Sequence, residues 1–462
     1  MRKHNWYRRF LCLLVISLIL AVNIASSMAA PVNQMPGIKP EMMHPEYWIS
    51  KMSLAENIIM VPSAIEEFNH AIIHKLPTLV YDLNDYPQSL SRDELRKLIE
   101  RPYLEDPMYI GPEQVNQAYL NHLSNNTNLA NIKAQNSVQY GFTVCRTQMR
   151  EYPTGDVVSD EVNDIEFDLF QDTALLPFEP LILLHQSSDK QWYFAQMYNC
   201  SGWVPATDVA FSLNRNEWKT YQQNSRFLLV SGNRVRLCQD PYSSEVSELE
   251  LPMGTIVPLA DPEKIPALID GQAPTGNYVV EVPVRKPDGQ TDYKLAMVPC
   301  SADVNEGFLP YTRANTIRQA FKLQGDRYGW GGMLDGRDCS SLVMDVYRCF
   351  GFRLPRNSEQ QAESAGKTVS FNDSNLSNRQ ALLDQVLPGA SLHFPGHTMI
   401  YLGKESNVYY VISALGSWAA IDPGMPPQIQ RIHGVVVNNL YLTRKNGKTW
   451  MESLTVAKQY EN

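Results

Sequence analysis

Long apolar segments are scarce in this 462-residue chain. The longest runs from Phe10 to Val22 and is shorter than the ~18 residues that a membrane-crossing helix needs. Four basic side chains precede it, namely Arg2, Lys3, Arg8 and Arg9. The small residues Ser27 and Ala29 follow it at the spacing that a signal peptidase reads. We therefore predict that residues 1–29 are a signal peptide, with an uncleaved anchor as the alternative. The mature protein is then expected in the periplasm or cell envelope, without a stable membrane span.

Cysteine is also rare, because the chain has seven and Cys12 lies inside the predicted signal peptide. The remaining six argue against a disulfide framework in a chain of this length, although Cys145 with Cys200 and Cys238 with Cys300 are possible pairs. The sequence has no C-x-x-C pair, no zinc-ligand spacing and no P-loop glycine pattern. We therefore expect no metal or nucleotide cofactor.

Basic charge is low, since 40 lysines and arginines stand against 49 aspartates and glutamates, for a net charge of −9. Nucleic-acid binding needs a basic surface, so nucleic acid is excluded as the main partner. Hydrophobic residues make up 44% of the chain, which is ample for packed cores, and the length exceeds that of one domain. The oligomeric state stays open.

Cys339 is the residue that carries the most chemical information. It follows a glycine-rich stretch that starts at Tyr328, and after it apolar residues recur every three or four positions up to Gly351. This pattern predicts an amphipathic helix with Asp338 as its N-cap and Cys339 in its first turn. The positive end of the helix dipole favours a thiolate, so we expect a nucleophilic sulfur with a lowered pKa. A structural cysteine, buried or in a disulfide, is the alternative.

A candidate base for this thiol lies 58 residues downstream at His397. His397 opens a strand-like alternation that places it on one face with Met399 and Tyr401. His393 is a second candidate, although it lies before the predicted strand.

A partner for the imidazole is predicted from strand pairing. If Leu402 pairs with Val408 across the next turn, His397 faces Ser413 on the neighbouring strand. Ser413 then orients the ring, although a hydroxyl is a weaker partner than a carboxylate or a second histidine.

Five motifs, in this order, resemble those of the NlpC-type cell-wall cysteine peptidases. They are Tyr-x-Trp-Gly-Gly from Tyr328, Arg-Asp-Cys-Ser-Ser-Leu-Val around Cys339, Leu-Pro-Arg-Asn-Ser-Glu-Gln-Gln from Leu354, Pro388-Gly389, and Gly-His-Thr-Met-Ile-Tyr-Leu-Gly from Gly396. The resemblance implies a papain-like α+β domain in which Cys339 is the nucleophile and His397 the general base. It also implies that Tyr328 lies near the oxyanion site.

The resemblance further implies a third catalytic residue and a substrate-binding pair. The third position in the family is usually His, Asn or Gln, whereas the matching residue here is Ser413, with Asn438 as another polar candidate. By position, Asp338 and Ser340 match family residues that contact the N-terminal ammonium group of the substrate. A plain N-cap role for Asp338 is the alternative.

The rest of the chain predicts a multidomain α+β fold. Residues 30–135 are expected to form a mainly helical stabilising segment, in which Ser91 to Glu94 resembles a capping box. We predict two small SH3-like β-barrels at residues 136–215 and 216–308, followed by a papain-like catalytic domain at 309–462. Strands predicted for the first barrel are Phe167–Phe170, Leu181–His185, Trp192–Tyr198 and Gly202–Pro205.

Members of the family with paired SH3-like domains resemble endopeptidases that cut the bond between γ-D-glutamate and a diamino acid in peptidoglycan stem peptides. By this resemblance we expect hydrolysis through a thioester, with preference for a free N-terminal L-alanine, on stem peptides or murein fragments. Two alternatives stay open: a non-catalytic cell-wall binding protein, and an acyltransferase or amidase with the same Cys-His chemistry.

Overall fold

The computed structural model describes residues 35–101, 107–212, 214–372, 375–421 and 424–461, so the predicted signal peptide lies outside the described residues. Within these ranges, no helix has both the length and the apolarity that crossing a bilayer requires.

The N-terminal part is partly helical and packs onto the C-terminal part. Its elements are α1 (Pro45–Ile49), α2 (Pro62–Lys75), β1 (Ser89–Ser91), α3 (Arg92–Ile99), β2 (Tyr109–Ile110), β3 (Glu113–Gln114), α4 (Gln117–Asn126) and β4 (Gln135–Ser137). The predicted capping box is confirmed: Ser91 Oγ accepts from the Glu94 N–H at 3.3 Å, and the Glu94 carboxylate accepts from the Ser91 N–H at 2.8 Å. Phe68 lies edge-on against Phe352 with ring centroids 5.5 Å apart, which anchors α2.

Seven antiparallel strands form the next unit. They are β5 (Gln139–Thr143), β6 (Thr147–Arg150), β7 (Gln171–Leu175), β8 (Pro180–Gln186), β9 (Trp192–Gln196), β10 (Ser201–Pro205) and β11 (Val209–Ser212). Their order in the sheet is β11-β5-β8-β9-β10-β6-β7. The sheet encloses fully buried aromatic side chains, among them Phe142, Phe194 and Trp203.

One strand predicted for this unit is wrong. Residues 167–170 form a turn rather than a strand. The reason is Asp168, whose Oδ1 accepts from the backbone N–H groups of Val158 and Phe170 and whose Oδ2 lies 2.7 Å from the Arg150 guanidinium. A side chain that satisfies backbone donors in this way competes with a strand ladder.

A helix, α5 (Arg215–Gln222), leads into a second β-rich unit. Its strands are β12 (Phe227–Val230), β13 (Arg234–Arg236), β14 (Glu250–Pro252), β15 (Ile256–Pro258), β16 (Asn277–Arg285), β17 (Thr291–Pro299) and β18 (Val304–Glu306). They pair as β15-β12-β18, β13-β14 and β16-β17. The hairpin between β16 and β17 turns through Gly289, whose φ of 90° suits glycine.

The C-terminal part combines helices with a six-stranded antiparallel sheet. Its elements are α6 (Arg313–Lys322), α7 (Cys339–Arg348), α8 (Ser358–Glu363), β19 (Lys367–Ser370), α9 (Leu376–Leu383), β20 (Ser391–Phe394), β21 (His397–Glu405), β22 (Val408–Ala420), β23 (Gln428–Asn439), α10 (Trp450–Ser453) and β24 (Val456–Gln459). The strand order is β19-β24-β20-β21-β22-β23.

The two faces of this sheet belong to different apolar clusters. Ile400 and Leu402 of β21 share one cluster with Leu342 and Val346 of α7. Met399, on the other face of the same strand, belongs to a cluster that includes Phe394 and Trp450. The predicted alternation along β21 and the predicted multidomain α+β architecture are therefore confirmed.

Candidate active site

A tight glycine loop positions the start of α7 against the seven-stranded unit. A Cβ atom on Gly332 would lie 2.4 Å from the Ala174 Cβ, and one on Gly331 would lie 2.6 Å from the Gln171 side chain. Both glycines have positive φ, at 54° for Gly331 and 80° for Gly332. The glycines are needed because two backbones meet here, and the Gln171 side chain donates to the Gly331 carbonyl at 2.9 Å.

Cys339 is the first residue of α7, as the sequence predicts, and Asp338 is its N-cap. Asp338 Oδ1 accepts from the Ser341 N–H at 2.8 Å. The Cys339 side chain is buried, and the backbone N–H of Thr398 favours its thiolate form. Because Thr398 directly follows His397 in the chain, the start of α7 and the start of β21 lie next to each other.

The predicted lowering of the thiol pKa is wrong. Burial and the negative charge of Asp338 raise the pKa of Cys339 to about 12. The N–H groups of Thr398 and Ser340 and the Arg356 guanidinium act in the opposite direction and do not compensate. The thiol of the free protein thus keeps its proton at neutral pH, because the dipole of one helix is outweighed by desolvation.

Asp338 is engaged by an arginine that sequence reasoning missed. Arg356 Nη2 lies 2.5 Å from Asp338 Oδ2, its Nη1 donates to Ser340 Oγ at 2.8 Å, and its Nε donates to Thr173 Oγ1 at 2.6 Å. Burial alone would raise the pKa of Asp338, but Arg356 and the hydrogen bonds from Ser341 lower it below its ordinary value.

This pairing gives Asp338 and Ser340 a structural role, while their predicted contact with the ammonium group of the substrate stays a prediction. Arg356 balances the carboxylate charge, and the Ser340 hydroxyl donates to Asp338 at 3.2 Å. Both side chains hold the first turn of α7. The Leu-Pro-Arg order in the sequence contained this arginine, but no local signal indicated its partner.

His397 is the first residue of β21, and its ring lies among aromatic side chains. The ring centroid is 5.2 Å from that of Phe394 and 4.9 Å from that of Trp450. Within the described residues, the buried Nε2 atom has no hydrogen-bond partner. Burial and the positive charge of Arg444 lower the pKa of His397 to about 3, against the opposing effect of Asp338. The imidazole is therefore neutral at physiological pH.

The predicted register between β21 and β22 is wrong. Tyr401 pairs with Val411 and Glu405 with Val408, with a bulge after Tyr401. The pairing is therefore shifted from the prediction by three residues next to the turn and by two residues beyond the bulge. Ser413 is consequently not opposite His397. Its hydroxyl donates to Asn438 Oδ1 at 2.9 Å, which joins the two polar candidates for the third position to each other.

Tyr328 lies beside the thiol and touches the seven-stranded unit. Burial, together with the charges of Cys339 and Asp338, raises the pKa of the Tyr328 hydroxyl, which therefore stays protonated and able to donate. Its ring packs near Phe167, at 6.2 Å between centroids. The turn that replaces the predicted strand at 167–170 thus reaches the active site.

The contacts of His393 and of the cysteines decide two further predictions, namely the second candidate base and the possible disulfides. His393 Nε2 is hydrogen-bonded to Ser391 Oγ at 2.8 Å, and Ser391 Oγ is in turn bonded to the Tyr460 hydroxyl at 3.0 Å. His393 is thus part of a buried polar chain. The six cysteines that the structure describes are all free thiols, so neither possible disulfide is formed.

Comparison with known proteins identifies two parts of the chain. Residues 325–413 match the NlpC/P60 family, and residues 158–205 match the SH3 domain of the SH3b1 type. A search of curated proteins found no match to this chain.

A solved structure shares the overall fold. An NlpC/P60 endopeptidase from Photobacterium damselae subsp. piscicida superposes with a TM-score of 0.69, at 19% identity over 94% of this chain and 98% of that one. An NlpC/P60 family protein from Bacillus cereus ATCC 10987 gives a TM-score of 0.46, at 17% identity over 70% of this chain and 100% of that one. The predicted resemblance is confirmed: residues 325–413 form a domain that is similar to the NlpC/P60 cysteine peptidases, and residues 158–205 before it match an SH3-like domain.

Proposed function

We propose that the protein is exported and hydrolyses the bond between γ-D-glutamate and meso-diaminopimelate in peptidoglycan stem peptides. The observation that carries the proposal is the packing of α7 against β21, because Cys339 is the first residue of the helix and His397 the first residue of the strand. The proposed division is a signal peptide at 1–29, a stabilising segment at 30–135, SH3-like barrels at 136–215 and 216–308, and the catalytic domain at 309–462.

The proposed mechanism starts from a neutral pair, because burial raises the pKa of Cys339 and lowers that of His397. His397 takes the thiol proton as the sulfur attacks the scissile carbonyl, so a thioester forms and the imidazolium then protonates the leaving amine. Water, deprotonated by His397, hydrolyses the thioester. The Cys339 N–H and the protonated Tyr328 hydroxyl are the proposed donors to the oxyanion.

A preference for a free N-terminal L-alanine is part of the proposal, with Asp338 and Ser340 as the proposed contacts of its ammonium group. Arg356 holds the Asp338 carboxylate in place. Ser413 is kept as a support of the strands behind His397 through its bond to Asn438.

The test is incubation with L-Ala-γ-D-Glu-meso-diaminopimelate and mass spectrometry of the products. We expect free diaminopimelate from the wild type, a loss of at least about a thousandfold in Cys339→Ala, and no change in Cys300→Ala, which removes an exposed cysteine. Equal cleavage by Cys339→Ala would reject the proposal.

A substrate acetylated on the alanine amine should not be cut, and unchanged turnover would remove the free-amine preference. Transfer to an added amine instead of water would favour an acyltransferase.

A further inference from the structure

Among the residues that the structure describes, the Nε2 atom of His397 lacks the polar partner that usually fixes a catalytic histidine. In Cys-His and Ser-His sites, a third polar side chain holds the ring in one orientation. Here the buried Nε2 atom has no hydrogen-bond partner within the described residues, and the Ser413 hydroxyl is committed to Asn438.

Two aromatic rings pack against the imidazole instead. His397, Phe394 and Trp450 form a closed triangle, because Phe394 and Trp450 also contact each other with centroids 5.3 Å apart at 66°. The His397 ring is tilted by 36° to Phe394 and by 63° to Trp450. Both aromatic side chains are buried, with 6% of Phe394 and 3% of Trp450 exposed. Rotation of the partly buried imidazole would disturb its packing against both rings.

The triangle is itself held in place from three directions. Phe394 is the strand partner of His397 in the pairing of β20 with β21. Trp450 is the first residue of α10, next to a capping box formed by Thr449 and Glu452, and its backbone N–H donates to the Leu442 carbonyl at 2.9 Å. The Arg444 guanidinium lies 4.6 Å from the Phe394 centroid and closes the outer side.

We infer that Phe394 and Trp450 form an aromatic seat that positions the His397 imidazole for the Cys339 thiol, in the place of a third polar residue. The two act through His397 and are positioning residues. The inference rests on the proposed function, since it assigns the means by which the same base is oriented.

A seat of this kind has a consequence for pH dependence. An apolar environment disfavours the imidazolium, and the charged or titratable groups that act on the ring are Arg444, Asp338 and His393. Replacing one of the two aromatic rings by a smaller side chain would admit water to the imidazole. The imidazole should then titrate closer to its ordinary pKa, and the acid limb of kcat/KM should move to higher pH.

The test compares Trp450→Leu, Trp450→Phe and the control Trp418→Leu on the stem tripeptide. Trp418 is half-buried at the edge of the same apolar cluster and makes no ring contact with His397. We expect Trp450→Leu to lower kcat by about tenfold or more with little change in KM, and to shift the acid limb upward. Trp450→Phe should recover most of kcat, and Trp418→Leu should match the wild type in both readouts.

Wild-type kcat and an unshifted acid limb in folded Trp450→Leu would overturn the inference. Should that variant not fold, NMR titration of the His397 ring in the wild-type protein decides instead. A ring that stays neutral well below pH 6.5 supports the seat, and ordinary titration overturns it. The outcomes are distinct from failure of the proposed function, in which Cys339→Ala would cleave as well as the wild type.

Discussion

Cys339 and His397 lie in surroundings of opposite character. Around the cysteine, Arg356 and Asp338 form a buried ion pair that is tied to Ser340 and reaches Thr173 of the seven-stranded unit. Around the histidine, the contacts are aromatic rings. The comparison teaches that one site uses two means of fixing geometry. Removing one member of a buried charged network lowers the free energy of unfolding strongly, whereas packed rings tolerate a substitution of similar shape.

The largest effect is expected from removing the Arg356 charge from the ion pair beside Cys339. Arg356→Met leaves the Asp338 carboxylate buried without its counter-charge, so we expect a loss of about 3–5 kcal/mol in the free energy of unfolding, with activity falling alongside. Urea denaturation measures it. Arg353→Met is the matched control, because Arg353 is 41% exposed and lies 3.6 Å from Glu66, so it should cost less than ~1 kcal/mol. Equal losses in the two variants would contradict a structural role for the buried pair.

The pH dependence of alkylation at Cys339 tests the cysteine side of the comparison. Since burial and Asp338 raise the pKa of Cys339 to about 12, the thiolate fraction should grow with pH throughout the neutral range. We expect alkylation of Cys339 by iodoacetamide to accelerate by nearly tenfold per pH unit between about pH 6 and 9. Peptide mapping by mass spectrometry follows the reaction at Cys339, with exposed Cys300 as an internal reference. A rate that is flat from pH 6 upward would indicate a preformed thiolate.

The smallest effect is expected at Ser413. Its hydroxyl bonds Asn438 and not the imidazole, so Ser413→Ala should change kcat by less than about twofold while costing ~1 kcal/mol of stability. Steady-state kinetics and thermal denaturation check the two values. A large drop in kcat, together with a shifted pH profile, would restore Ser413 as the residue that orients the base.

Much of the site could be predicted from short stretches of sequence. The start of α7 at Cys339, the N-cap Asp338 and the start of β21 at His397 all follow from local periodicity and capping. The strand pairing could not be predicted correctly, because β21 continues to Glu405 through a bulge after Tyr401, and only Ser406 and Asn407 form the turn. Both turn residues have positive φ, at 49° and 64°, and Ser-Asn lacks the glycine that usually indicates a two-residue hairpin turn.

The residues that sequence reasoning missed share one property. Trp450 lies 53 positions beyond His397, and Arg356 lies 17 beyond Cys339, so each reaches its partner only through the packing of separate elements. The turn at 167–170 was predicted as a strand for a related reason, since the buried contact of Asp168 with Arg150 overrides its apolar pattern.

The amino-acid order alone determined which atoms can react: a sulfur at a helix start and an imidazole at a strand start, both set by interactions within a few residues. The tertiary structure decided their protonation and their orientation. Those depend on the loss of water and on charges and rings brought together from distant positions, and burial raises the pKa of Cys339 while lowering that of His397.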